Sequence, residues 1–279
     1  MPKLILVMIA TCCIVAGVYG DEFLHNGVTA HRGNSGEFPE NTLPAFMSGI
    51  EVGADWIELD IFKTVDGELV VIHDRTTTRV GDKDLDVVQS SYDELLTVDV
   101  ATEFRRNHDL TVEQLPKHTV PLLEDVLRLV MAQKRTRVSI QPKMDCVAEA
   151  VALVKRLKCE PWVGFNDGNL TLMAKVKKLA PELPVFWDRG ESNIDEDLAT
   201  AKQHGFEALV LNQAVVTQAK TDKIRGAGLE VGAWTVNSDS EMKRFLELGV
   251  NRIYTDYPKR LLRIVQQTRH ASRKDSNHE

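Results

Sequence analysis

Cysteine is scarce in this chain: four among 279 residues, two of which, Cys12 and Cys13, fall near the start. That is too few for a disulfide-stapled scaffold. A chain of this length buries roughly 70–75% of its unfolded surface and needs no such staple. Basic blocks are also missing outside a short C-terminal tail, and 34 basic against 41 acidic residues leave a net charge of −7. This balance argues against a general nucleic-acid binder. No glycine-rich dinucleotide or P-loop fingerprint follows any strand-like run, which removes the usual marks of a doubly wound nucleotide-binding fold. Past the N-terminus, nothing is apolar for long enough to cross a bilayer. An acidic protein that acts on an anionic substrate must therefore gather positive charge locally.

The N-terminus carries one early charge at Lys3, an apolar run from Leu4 to Val18, and small residues before Asp21. This is the pattern of a signal peptide, residues 1–20, with cleavage after Gly20. A secreted or periplasmic protein is expected. A lipid anchor at Cys12 is disfavoured by Thr11, which stands where a smaller residue is wanted. Cleavage leaves Cys146 and Cys159. Asp145 reads as an N-cap, and Val147, Val151, Val154 and Leu157 recur at helical spacing. On one continuous helix the two cysteines lie about 19 Å apart at ~1.5 Å per residue, so two unpaired thiols are expected.

From Val28 onward, short β-rich runs alternate with helical periodicity. Strands are expected at Val28–Arg32, Trp56–Lys63, Leu69–His73, Arg137–Lys143 and five later segments. Helices include Asn41–Val52, with Asn41 as N-cap, and a last one at Arg260–Thr268. Such alternation implies a parallel sheet, and eight helices in about 250 mature residues favour a (β/α)8 barrel, here spanning residues 21–269. Arg75–Thr119 breaks the rhythm as a polar insertion over one face. Its Asp82, Asp84 and Asp86 resemble half a calcium loop, but Val87 stands where the turn needs glycine. Residues 270–279 are charged, lack periodicity and are expected to be disordered.

In this barrel the carboxyl ends of the strands surround the active site. His31 and Arg32 end the first expected strand, and His73 and Asp74 end the third. Glu58 and Asp60, two apart on a strand, share one face and point into the barrel together. Two carboxylates crowded there repel, and one divalent cation between them, Mg2+ or Ca2+ by its all-oxygen ligands, resolves the conflict. Gln141 and Lys143 share a face further on. Arg32 and Lys143 supply the cations an anionic substrate needs.

Thr29-Ala30-His31-Arg32-Gly33, Phe38-Pro39-Glu40-Asn41-Thr42, Ile57-Glu58-Leu59-Asp60 and Val71-Ile72-His73-Asp74 resemble the ordered signatures of the glycerophosphodiester phosphodiesterase family. Val120–Glu124, Ala233–Asn237 and Tyr254–Pro258 extend the likeness to most of the mature chain. The resemblance implies a metal-dependent phosphodiesterase acting on small-molecule phosphodiesters such as glycerophosphocholine. It implies His31 and His73 as the acid–base pair, Arg32 and Lys143 as phosphate-binding cations, and Glu58 and Asp60 as metal ligands. The family usually has glutamate two residues before the lysine; this chain has Gln141, an uncharged candidate ligand. Glu40 is either a partner of Arg32 or an exposed first-turn acid. Trp234 either lines the pocket or packs within the barrel. A phospholipase D-like activity on lysophospholipids or sphingolipids and a non-catalytic phosphate-binding barrel remain as alternatives.

Overall fold

The computed structural model describes residues 23–275, with side chains as far as residue 268. Residues 1–20, read as a signal peptide, and residues 276–279 of the expected tail lie outside the described residues. No helix among the described residues is long and apolar enough to cross a membrane.

Strands and helices alternate in the order β1 (Val28–Ala30), α1 (Leu43–Glu51), β2 (Trp56–Lys63), β3 (Leu69–Val71), α2 (Tyr92–Leu95), α3 (Thr102–Asn107), α4 (Leu123–Gln133), β4 (Arg137–Pro142), α5 (Val147–Leu157), β5 (Val163–Asp167), α6 (Leu170–Leu179), β6 (Val185–Arg189), α7 (Ile194–His204), β7 (Ala208–Asn212), α8 (Gln218–Gly226), β8 (Glu230–Trp234), α9 (Asp239–Glu247), β9 (Arg252–Thr255) and α10 (Pro258–Asp275). Eight strands pair in parallel, and β1 closes the ring by bonding to both β2 and β9. The fold is the expected (β/α)8 barrel.

The period of two along each strand sorts side chains into two cores. On β2, Ile57, Leu59 and Ile61 join the large cluster between sheet and helices, while Trp56 faces inward. Trp56, Phe186, Ala208, Val210 and Tyr254 fill the barrel interior, capped by Arg252 at 3.7 Å from the Phe186 ring centroid. Inward positions turn polar toward the carboxyl ends, so that the apolar plug holds up a charged mouth.

Four local expectations are corrected. The third expected strand lies outside the barrel: β2 is the one strand with which β3 pairs, antiparallel, and β3 ends at Val71. His73 thus reaches the mouth because the β2–β3 hairpin turns the chain back, with Ile72 N–H donating to the Asp60 carbonyl at 3.0 Å. Helix α1 is capped by Thr42, whose hydroxyl accepts from Ala45 N–H, and not by Asn41. The residue at the cap of α5 is Cys146, without a side-chain bond, and not Asp145. Finally, α10 continues to Asp275 and takes in residues 270–275 of the expected tail, because Arg, Lys and Ala there favour a helix without needing apolar periodicity.

The 75–119 segment carries its own small core. Val80, Val87, Leu95, Val98 and Val100 pack with Phe62, Val70 and Ile72 on the outside of the hairpin. Singly spaced valines build this core, which is why it left no apolar run in the sequence. Its aspartates are engaged within the protein: Asp82 accepts from Asp99 N–H, Asp84 from the Thr78 hydroxyl, and Asp86 from Arg75.

Cys146 and Cys159 are buried and unpaired, and burial pushes both thiols up to about 12. A thiol so protonated is a poor nucleophile. Alkylation followed by peptide mapping should find both unmodified in the native protein at pH 8 and both modified after unfolding.

Candidate active site

A cavity of about 510 Å³ opens at the carboxyl ends of the barrel strands. Seven of the eight site residues expected from sequence line it: His31, Arg32, Glu58, His73, Gln141, Lys143 and Trp234. The eighth, Asp60, lies beneath its floor at 1% exposure. Trp234 lines the cavity and also packs against the barrel's inner cluster, so both readings of it hold.

Two turns with unusual backbone aim donors at the buried carboxylates. Arg32 follows β1 in the left-handed region (φ 53°), and its N–H donates to Glu58 Oε2 at 3.0 Å. Asn41 is likewise left-handed (φ 55°); its side-chain amide donates to Asp60 Oδ2 at 2.9 Å and accepts from Asp60 N–H at 3.3 Å. Such conformations cost a non-glycine residue roughly 1–3 kcal/mol, and both recur where a buried acid gains a partner. Gly33 completes the first turn at φ +82°, where a Cβ would sit 2.6 Å from the Ala45 carbonyl carbon.

Glu58 and Asp60 are not equivalent. Arg32 Nε lies 3.5 Å from Asp60 Oδ2 and Lys143 Nζ lies 3.3 Å from Asp60 Oδ1. Burial alone would raise the Asp60 pKa, but Lys143 and Arg32 outweigh it and hold it below the ordinary value. The repulsion expected between the two acids is thus relieved in part by the protein's own cations, because Asp60 is ion-paired. Glu58 instead is pushed up to about 7, by burial first and by the Asp60 charge second.

Both histidines are oriented by carboxylates. His31 Nδ1–H donates to Asp256 Oδ1 at 2.7 Å, and Asp256 is held in turn by Ser35 and Asn237. His73 Nδ1–H donates to Asp74 Oδ1 at 2.6 Å. Each pairing leaves Nε2 as the acceptor-capable nitrogen. Burial lowers the pKa of His31, yet the Asp256 hydrogen bond and the Glu58 charge reverse that and raise it overall. His73 moves the other way: burial lowers it, Arg32 and Lys143 add to the effect, and Asp60 only partly opposes them.

The all-oxygen donor set fits a divalent cation. Gln141 is the lateral neighbour of Asp60 across the β2–β4 ladder. The Asp188 Oδ1 atom is buried without a hydrogen-bond donor, while Asp60 Oδ1 meets only the Lys143 ammonium, at 3.3 Å. No three of His, Cys, Asp and Glu converge on a metal position among the described residues. The third candidate ligand, Gln141, offers a carbonyl oxygen, which in this structure accepts from Lys143 Nζ at 3.0 Å.

Several cavity residues went unread in the sequence. The strand-like run Pro184–Trp187 in the sequence stops two residues short: β6 continues through Asp188 to Arg189, and both line the cavity with Asn166 and Tyr254. Asp188 accepts from Gln141 at 3.3 Å and Asn166 at 3.2 Å. The rule that placed His31 at a strand end would have found them had β6 been extended. Asp256 and Asp74 stood inside recognised motifs without a role. Glu40 binds Arg32 Nη1 at 3.1 Å, which decides between the two readings of it.

The profile of the glycerophosphoryl diester phosphodiesterase family matches residues 31–260. A glycerophosphodiester phosphodiesterase of Bacillus altitudinis is 32% identical over 251 residues, covering 86% of this chain and 98% of its own. A lysophospholipase D of Mus musculus is 25% identical, with 83% of each chain covered. An Oleispira antarctica phosphodiesterase, solved with its product sn-glycerol-3-phosphate, superposes with a TM-score of 0.74 at 23% identity over 86% of this chain and 96% of its own.

The raised Glu58 pKa fixes a sign for stability. Between the unfolded value and about 7 the native state binds the extra proton, so metal-free stability falls as pH rises through that window. Above it, Glu58 is an ionised buried acid beside Asp60. Glu58→Gln should therefore raise the melting temperature of the chelator-treated protein at pH 8 by several degrees, a ΔΔG on the order of 1–3 kcal/mol, and should do so less at pH 5. A thermal melt at the two pH values reads this directly.

Proposed function

The chain belongs to the glycerophosphoryl diester phosphodiesterase family, and from that premise we propose that it is a divalent-cation-dependent hydrolase of glycerophosphodiesters such as glycerophosphocholine. One observation carries the reading: two histidines with carboxylate-bound Nδ1 atoms and oppositely shifted pKa values line one cavity with Arg32 and Lys143. Pairs of titratable groups pushed apart in this way divide into an acid and a base.

Arg32 and Lys143 hold the phosphodiester and offset its charge. Arg32 suits the two non-bridging oxygens through its planar fork, and Lys143 acts as a point charge. His73, kept neutral, accepts the proton of the attacking water at Nε2. His31, kept protonated, gives its Nε2 proton to the departing alcohol, with Asp256 stabilising the imidazolium it starts from. The P–O bond to the leaving alcohol breaks as the new P–O bond forms, giving glycerol phosphate and, from glycerophosphocholine, choline. Glu58, Asp60 and the Gln141 carbonyl would hold the cation, which supplies Lewis-acid stabilisation of charge on the phosphoryl oxygens. Asp188 bonds the Gln141 amide nitrogen and so fixes which way its carbonyl points.

The reading makes turnover bell-shaped in pH. It should fall below pH 6.5 as His73 gains a proton, and fall again above 6.5, through the raised His31 pKa, as the acid loses its own. His31→Ala and His73→Ala should each lose roughly 10²–10⁴-fold in kcat while folding normally, and each should abolish its own limb of the profile. Activity should vanish in excess EDTA and return with Mg2+ or Ca2+. Running the assay on glycerophosphocholine and on a lysophospholipid separates this reading from a lysophospholipase D. Wild-type turnover in either mutant, or full activity in EDTA with no bound metal, would refute it.

A further inference from the structure

Arg79 comes from the 75–119 segment, well outside the motifs that define the site. Its guanidinium nevertheless uses every donor group on carboxylates that serve it. Nε donates to Asp74 Oδ2 at 2.6 Å, Nη2 to Glu40 Oε1 at 2.6 Å, and Nη1 to Glu40 Oε2 at 3.0 Å and Glu103 Oε2 at 2.9 Å. Asp74 is the carboxylate that orients His73. Glu40 is the one that receives Arg32 Nη1 through both its oxygens, at 3.1 and 3.2 Å. An unbroken chain thus runs Arg32–Glu40–Arg79–Asp74–His73, with its middle member on a segment that otherwise packs on the outside of the β2–β3 hairpin. Glu103 of α3 holds the back of the guanidinium and ties it to the segment's own fold.

Electrostatics and shape both favour an arginine at this point. Glu40 lies between two guanidiniums, and Asp74 between a guanidinium and an imidazole, so each acid accepts hydrogen bonds from two sides. A lysine would keep the charge but could not span Asp74 and both Glu40 oxygens in one plane. Without the clamp, Asp74 is free to rotate away from His73 Nδ1, and Glu40 can follow Arg32 toward solvent.

We propose that Arg79 is a positioning residue, which sets His73 through Asp74 and Arg32 through Glu40 and makes folding of the 75–119 segment a condition for a competent site. The proposal rests on the reading of His73 and Arg32 as groups that act on the phosphodiester. If Arg79 served only to tether the segment, Arg79→Lys would preserve function along with the charge.

The test compares Arg79→Lys and Arg79→Ala with Arg75→Ala, which breaks the Arg75–Asp86 pair in the same segment away from the cavity. Arg79→Lys should melt within about two degrees of wild type yet lose at least about tenfold in kcat/KM, since displacements under 1 Å at reacting groups already have effects of this order. The loss should divide between the two arms: Asp74→Asn should lower kcat, Glu40→Gln should raise KM, and Arg79→Ala should do both. Arg75→Ala should leave both constants unchanged. Wild-type constants in Arg79→Lys would overturn the proposal, as would a loss matched by Arg75→Ala. If wild-type protein turns over no phosphodiester, the functional reading fails and not the clamp. The clamp is then read by proton NMR: the downfield Nδ1–H resonance of His73 should be present in wild type and Arg75→Ala and lost in Arg79→Lys. Its persistence in Arg79→Lys would overturn the proposal independently of activity.

Discussion

Two carboxylates two residues apart on an inward strand face are the constraint around which the mouth of this barrel is arranged. The barrel leaves Glu58 and Asp60 almost no contact with solvent, and each is 1% exposed. Removing such charges from water costs several kcal/mol per ion unless partners replace the solvent. The partners come from four separate stretches: the turn at Arg32, the loop at Asn41, the hairpin that returns His73, and Lys143 just past the end of β4. They converge on β2 because it lies between β1 and β4 in the ring. Asp60 is thereby kept ionised, and Glu58 is left near neutrality.

That asymmetry propagates to the histidines. His31 lies within reach of the Glu58 charge and bonds Asp256, so it holds its proton. His73 is lowered by burial first, and the cations Arg32 and Lys143 that serve Asp60 add to the shift. Two chemically identical side chains are thus shifted in opposite directions across one cavity, His31 by its neighbouring carboxylates and His73 by burial and cations. Elsewhere the fold is ordinary: an apolar plug of Trp56, Phe186 and Tyr254 at one end of the barrel, and alternating strands that send Ile57, Leu59 and Ile61 outward.

Much of this was legible in the sequence because it depends on short-range spacing. The period of two put Glu58 and Asp60 on one face, and strand–helix alternation gave the barrel. What escaped depends on long-range geometry. That β3 turns back outside the barrel cannot be told from a run of apolar residues with the same period. Asn41 looks like an N-cap in sequence, since its type suits both jobs, and only the left-handed turn sends its amide to Asp60 instead. Arg79 lies 39 residues from the Glu40 it binds and Asp256 lies 225 from His31, too far for any spacing signal to connect them. Asp188 was missed for a smaller reason, a strand end placed two residues early.

The claim on which the account turns is that the cavity directs attack at phosphorus, with the alcohol leaving intact. Hydrolysis of glycerophosphocholine in 18O-labelled water, with Mg2+ or Ca2+ present and the products resolved by mass spectrometry, tests it most directly. The account predicts one 18O atom in the glycerol phosphate and none in the choline. Label in choline, or no hydrolysis at neutral pH with either metal, would contradict it.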